Sequence, residues 1–181
     1  MQYTELSSSI KACTRCPLHL SRIQAVLGAG NIHSGLVLIG EAPGEDEDNL
    51  GTPFVGKCGR LLDDILRSVG IRREEIYISN VVKCRPPNNR PPAPEEAFMC
   101  SGHLAREIRL INPLVIVTLG ATSTKTILGT EEQITKLRGK VFDIGGIKVI
   151  PSFHPSYILR QGNKRKDLES DLLLAKGIAY V

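Results

Sequence analysis

The stretch Gly51–Arg60, GTPFVGKCGR, carries the glycines and lysine of a phosphate-binding loop, G-x-x-x-x-G-K, but ends on Cys58 where that motif needs a magnesium-ligating hydroxyl. A phosphate loop also follows its strand directly, so that a helix N-terminus meets the phosphates. Here GEAPGEDEDNL intervenes, and Glu41, Glu45, Asp46, Glu47 and Asp48 would repel a triphosphate. A nucleoside triphosphate site is therefore not expected. Zinc-dependent base deamination needs H-x-E with P-C-x-x-C, and none of His19, His33, His103 or His154 is followed by that pattern.

The cysteines offer a second chemistry. Cys13 and Cys16 form C-x-x-C with no strand before them, which argues against a thioredoxin-type dithiol. Cys84 and Cys100 bracket a proline-rich stretch, PPNNRPPAP. Brought to the N-terminal pair, they make four thiolates, enough for Zn²⁺ or a [4Fe–4S] cluster. The residues by themselves leave zinc, iron–sulfur and unrelated buried thiols open. Cys58 reads as a small buried hydrophobe.

These groups must be positioned by an alternation of strand and helix. Four apolar, β-branched runs, 36–39, 76–82, 114–119 and 147–150, suit strands covered on both faces. Helical patterns occupy 59–69, 94–111 (opening on Pro94-Glu95-Glu96), 121–128 and 167–178. The expected fold class is α/β, a three-layer α/β/α sandwich around a central, mainly parallel four-stranded sheet. Residues 1–181 suit a single domain, with the proline stretch as a rigid surface loop rather than a linker.

Charge and composition bound the setting. With 41% hydrophobic residues and no apolar run of the roughly 18–20 residues a bilayer span needs, no integral membrane protein is expected. The N-terminal segment shows no secretory signal, so a cytoplasmic location is expected. The net charge of +4 is compatible with a polyanionic partner, with cations concentrated in KLRGK (136–140) and RQGNKRK (160–166). Solvated surface charge is the bland reading of the acidic run 41–48; it does not suit Glu41 and stays open for Asp46 and Asp48.

Three segments in order, Gly40–Gly59, Asn80–Pro94 and Pro151–Arg160 (PSFHPSYILR), together with the cysteine order, resemble the family 4 uracil-DNA glycosylases, the iron–sulfur branch of that superfamily. The likeness runs over nearly the whole chain. It implies a monofunctional DNA-repair hydrolase that flips deoxyuridine out of single- or double-stranded DNA and cuts its N-glycosidic bond, acting as a monomer with no membrane partner. It implies a [4Fe–4S] cluster on Cys13, Cys16, Cys84 and Cys100. Glu41, Ala42, Phe54, Asn80 and His154 become the uracil pocket: Phe54 stacks on the base, the Asn80 amide pairs with its edge, and His154 stabilises the departing anion. Glu41, Glu47 and His154 are the expected catalytic residues, the two carboxylates being left unapportioned between positioning water and crowding out thymine's methyl group. Arg85, Arg90, Lys136, Arg138, Ser156, Tyr157, Leu159, Arg160, Lys164 and Arg165 are expected at the DNA, with Tyr157, Ile158 and Leu159 as wedges into the base stack. The family commonly has a small residue at the Cys58 position. A related branch that forms a covalent adduct uses a histidine in an inserted basic segment, and KCRPPNNRPP contains none.

Overall fold

The computed structural model describes residues 3–180, and all structural statements refer to these. The apolar runs become strands because each supplies side chains to both faces of one sheet. In β2 (Leu36–Gly40), Leu36 and Leu38 join one core while Val37 and Ile39 join the other; β4 (Val115–Leu119) splits in the same way, with Val115, Val117 and Leu119 on one face and Ile116 on the other. The first core is closed by α3 (Lys57–Ser68), α7 (Pro155–Arg160) and α8 (Arg165–Ala179) through Leu62, Ile65, Leu66, Ile158, Leu168 and Leu172. The second is closed chiefly by α4 (Pro94–Ile111), with Leu104 and Ile111, and by α5 (Ala121–Leu128). The α/β sandwich is as expected.

The sheet has six strands rather than four, in the order β1-β3-β2-β4-β6-β5. The four inner strands, including β3 (Tyr77–Asn80) and β6 (Ile147–Ser152), are parallel. The two unanticipated strands, β1 (Ala29–Gly30) and β5 (Phe142–Ile144), are short antiparallel edges. β1 is two residues long and carries no alternation to read. β5 had a legible signal: Gly145 and Gly146, at φ 60° and 91°, form the two-residue turn that joins it to β6. The strand expected over 76–82 stops at Asn80, beyond which Val81 and Val82 donate their amide N–H groups to Gly40 and Glu41 carbonyls.

Helix starts follow local chemistry. At α4, the Glu96 carboxylate turns back to accept the Ala93 amide N–H at 2.7 Å and also grips Arg90 through both oxygens. The acidic run divides: Glu45 and Asp46 are exposed, whereas Glu47 and Asp48 turn inward. Residues Glu45–Leu50 form α2, where Asp48 is 1% exposed and accepts the Ile23 and Gln24 amides, tying the N-terminal segment to this helix.

Arg138, expected at a DNA surface, is engaged within the protein. Its guanidinium meets Asp171 at 2.5 Å and Asp167 at 3.3 Å, and Asp171 also accepts from the Ser152 hydroxyl at 2.6 Å. Burial raises the Asp171 pKa against the opposing pull of Arg138 and Ser152. Arg138→Leu should therefore strand a buried carboxylate and cost roughly 3 kcal/mol. Lys136→Ala, at an exposed position, should stay within about 0.5 kcal/mol. Urea denaturation of the two variants separates them, and equal costs would refute the structural role of Arg138.

Candidate functional site

Chain direction in the sheet creates the cleft. From β2 the chain pairs β3 on one side and then crosses to β4 on the other, so the loops leaving the carboxyl ends of the parallel strands diverge there, the place where open α/β sheets bind ligands. A cleft of about 320 Å³ opens at that end, lined by Glu41 and Ala42 after β2, Phe54, Asn80 at the end of β3, and His154 after β6.

Asn80 is 3% exposed, and its Oδ1 has no hydrogen-bond partner in the protein. A buried amide oxygen without a partner is costly, so it is an acceptor held ready for a ligand N–H. Phe54 lies across from it at φ 53°, a left-handed backbone that a bulky residue adopts only when its surroundings enforce it. Arg73 supplies part of that enforcement: it donates to the Phe54 carbonyl at 3.0 Å and the Pro53 carbonyl at 2.6 Å while paired with Asp63 at 2.7 Å. Two glycines make the geometry possible. A Cβ on Gly59 would lie 1.9 Å from the Phe54 carbonyl oxygen, and one on Gly40 would lie 2.5 Å from both Asn80 Oδ1 and the tip of the Phe54 ring.

The ring of His154 sits 5.9 Å from that of Phe54, centroid to centroid. Its Nδ1 accepts the Ser156 amide N–H at 3.1 Å, which leaves Nε2 to carry the proton. Burial, reinforced by the Arg160 charge, lowers the His154 pKa to about 4, so the ring is a neutral donor at ordinary pH.

The two carboxylates left unapportioned by sequence part company here. Glu47 is spent on backbone: Oε1 accepts the Val55 and Gly56 amides at 2.9 and 2.8 Å, and Oε2 accepts Gly44 at 3.0 Å. It shapes the loop that carries Phe54. Glu41 takes one short hydrogen bond, from the Thr122 hydroxyl at the start of α5, and borders the cleft.

The four cysteines named from sequence border one second cavity, together with Arg15, Arg22 and His103. Cys58 instead borders the cleft. Arg15 donates to the Cys13 sulfur at 3.4 Å and Arg22 to the Cys84 sulfur at 2.9 Å. Burial alone would raise the Cys13 thiol, yet Arg15 brings it below its ordinary value; burial prevails at Cys84, and pushes Cys100 up to about 11. Among the described residues no three His, Cys, Asp or Glu side chains form a group that could hold a single ion. Four thiols around one cavity, with cationic donors on two of them, supply enough sulfur ligands for a metal group.

Between the two cavities lies a buried network that no sequence pattern announced. Lys83, 1% exposed, donates to Glu107 of α4 at 2.5 Å, to the Ser79 hydroxyl at 2.6 Å and to the Asn80 carbonyl at 2.8 Å. Thr122, Arg73, Gly40 and His103 were equally unforeseen.

Of the basic residues expected at DNA, Arg85 reaches Glu45 at 3.6 Å and Asn89, Arg90 is gripped by Glu96, Lys164 meets Asp167 at 3.5 Å and Arg165 meets Glu169 at 2.8 Å. Lys136 and Arg160 are exposed. Of the candidate wedges, Ile158 is 3% exposed and packs in the core, Tyr157 is half-buried against Phe153, and Leu159 is 41% exposed. Ser156 lines the cleft.

A family model described as the uracil DNA glycosylase superfamily matches residues 27–175. The chain is 53% identical over 170 residues to the type-4 uracil-DNA glycosylase of Thermotoga maritima, covering 93% of this chain and 88% of that protein. It is 42% identical over 175 residues to the type-4 uracil-DNA glycosylase of Archaeoglobus fulgidus, covering 92% and 88%. A DNA polymerase of Bacillus phage SP01 matches at 34% identity over 155 residues, 83% of this chain but 17% of the polymerase.

Gly40→Ala should force Asn80 or the Phe54 ring aside, at an overpacking cost of about 1–3 kcal/mol. Chemical denaturation and the side-chain amide resonances of Asn80 report this, and an unshifted Asn80 signal with unchanged stability would refute the contact. For His154, nitrogen-detected NMR should show the Nε2–H tautomer, with protonation only near pH 4. The unfolded chain takes up that proton near 6.5, so the fold should lose stability as pH falls from 6.5 toward 4, a decline that His154→Gln should flatten. A titration midpoint near 6.5 in the folded protein would contradict the buried neutral ring.

Proposed function

The chain belongs to the uracil DNA glycosylase superfamily, and from that premise we propose a type-4 DNA-repair enzyme that flips deoxyuridine into the cleft and hydrolyses its N-glycosidic bond. The observation that carries the proposal is the meeting, at the carboxyl ends of the parallel strands, of an unpartnered Asn80 amide oxygen, the Phe54 ring and a neutral His154. The products are free uracil and an abasic site. The chain works as one catalytic domain, as a monomer, in the cytoplasm, on double- or single-stranded DNA. Among the described residues no helix is long and apolar enough to cross a membrane.

Extrusion is required because the scissile bond is out of reach within a duplex, and a mispaired uracil is the cheapest to extrude. Phe54 stacks on the extruded base, a contact typically worth about 1–3 kcal/mol. Asn80 Oδ1 accepts the uracil N3–H, which cytosine lacks, and the amide donates to O4. As the bond between C1′ and N1 breaks, negative charge gathers on uracil O2, where His154 Nε2–H donates; a neutral donor suits this role because it gives up no proton. Glu41, oriented by Thr122, holds the water that adds its oxygen to C1′ and favours the cationic sugar. The released proton ends on the uracil anion or in solvent. Glu47 acts indirectly, by fixing the loop that presents Phe54.

Cys13, Cys16, Cys84 and Cys100 would hold a [4Fe–4S] cluster, supported by their shared cavity and by the type-4 relatives. When bound, the cluster contributes folding energy by joining the N-terminal segment, the end of β3 and α4. Leu159 enters the base stack in place of the lost base, and Arg160, Lys136, Arg85, Arg90, Lys164 and Arg165 face the phosphates, the last four by exchanging or sharing their carboxylate partners.

A single-turnover assay of uracil release, with iron and sulfide measured on the same anaerobic sample, tests both parts. Asn80→Ala should lower the rate by about 10²-fold or more, as loss of one positioned partner does. Replacing any of the four cysteines should deplete iron, while Cys58→Ala should not. A rate within about twofold of wild type for Asn80→Ala would sink the pocket assignment, and equal iron loss in Cys58→Ala would sink the ligand set.

A further inference from the structure

His103 lies one turn along α4 from Cys100, on the same side of the helix. It is 4% exposed and borders the cavity of the four cysteines. Neither ring nitrogen has a hydrogen-bond partner in the protein. Leaving a buried polar group unpartnered is costly, and an apolar residue at this position would avoid that cost. The other polar side chains around the cavity have defined uses: Arg15 and Arg22 direct N–H groups at sulfur, Lys83 is consumed by Glu107, Ser79 and Asn80, and His19 Nδ1 lies 2.7 Å from the Cys16 carbonyl. The rim therefore offers donors to something rich in acceptor electrons. Thiolate and sulfide sulfur match that demand, and a neutral imidazole always has one N–H to give.

We propose that His103 is a positioning residue for the iron–sulfur cluster, donating a ring N–H hydrogen bond to one of its sulfurs, thiolate or inorganic sulfide. The inference rests on the cluster assigned above to Cys13, Cys16, Cys84 and Cys100. A hydrogen bond to sulfur withdraws electron density from the cluster, so it favours the more reduced state of any one-electron couple and shields the sulfur from oxidants. Arg22 directs an N–H at Cys84 from the N-terminal segment, which makes His103 the contribution of α4 to a shared set of donors.

The test uses the full chain, purified anaerobically as wild type, His103→Gln, which keeps an N–H donor, and His103→Leu, which removes it. Iron and acid-labile sulfide, the midpoint potential of the cluster's one-electron couple, and the rate of iron loss in air are measured for each. Pulsed paramagnetic resonance of the wild type labelled with ¹⁵N-histidine detects a weak nitrogen coupling through the hydrogen bond. The expected result is equal iron in all three, a more negative potential and several-fold faster iron loss in His103→Leu, and partial recovery in His103→Gln. An unchanged potential and loss rate in His103→Leu overturns the inference, as does a strong nitrogen coupling, which would mean direct ligation of iron. Should His103→Leu fail to fold, absence of any histidine coupling in the wild type overturns it equally. A wild type that binds no iron overturns instead the cluster assignment on which the inference rests.

Discussion

The buried pair of Lys83 and Glu107 is the interaction on which both cavities depend. Two full charges stand at 1% and 2% exposure, and such a pair survives only if every remaining donor and acceptor is occupied. That condition is met. Lys83 directs its ammonium to Glu107, Ser79 and the Asn80 carbonyl, and Glu107 also takes the Tyr77 hydroxyl, the Ser79 hydroxyl and the Gly28 amide. Burial, with the Glu107 charge beside it, raises the Tyr77 hydroxyl pKa well above its ordinary value, so the phenol remains a donor. One polar knot thus fixes β3, the residue before β1 and α4 relative to one another. Asn80 projects from it toward the cleft, while Cys84 and Cys100 leave it toward the cysteine cavity.

The cleft is built by constraint as much as by attraction. A left-handed Phe54 is held by Arg73 from behind, by Glu47 through the two residues that follow it, and by the bare α-carbon of Gly59 beneath its carbonyl. The ring then meets Asn80 across Gly40, where no side chain would fit. Strain of this kind is worth keeping only where it aims a side chain. It also explains why the chain that resembled a phosphate loop is glycine-rich: the glycines admit a close-packed phenylalanine, and the amides of Val55 and Gly56 that a phosphate would have sought already bind Glu47.

Cations divide along similar lines. Arg138 and Arg73 hold carboxylates and carbonyls inside the fold, and Arg22 holds a cysteine sulfur. Charges on exposed side chains cost little to keep and little to redirect, whereas Arg138 with its partner Asp171 at 2% exposure has a structural task it cannot leave. A basic residue in a basic loop is thus poor grounds for assigning it to DNA without knowing what already faces it.

The sequence by itself determined the α/β class, the four parallel strands and the α4 and α5 limits, and through its resemblance to a known family it pointed to Asn80, Phe54, His154 and the cysteines. Those features are local: two-sided apolar runs, a proline-glutamate helix start, and motifs whose glycines, prolines and cysteines stand at short spacing. Only the structure separated Glu41 from Glu47: the two carboxylates are six residues apart in one acidic run and differ in which groups reach them, the far-off Thr122 hydroxyl in one case and the nearby amides of Gly44, Val55 and Gly56 in the other. It also turned Asp48 inward, engaged Arg138 with Asp167 and Asp171, buried Ile158, and joined Lys83 to Glu107 across 24 residues. A buried charge or an orphaned ring such as His103 looks, in sequence, like any polar residue on a helix or loop. What sets it apart is the three-dimensional inventory of partners within about 3 Å, and that inventory is fixed by contacts between distant parts of the chain.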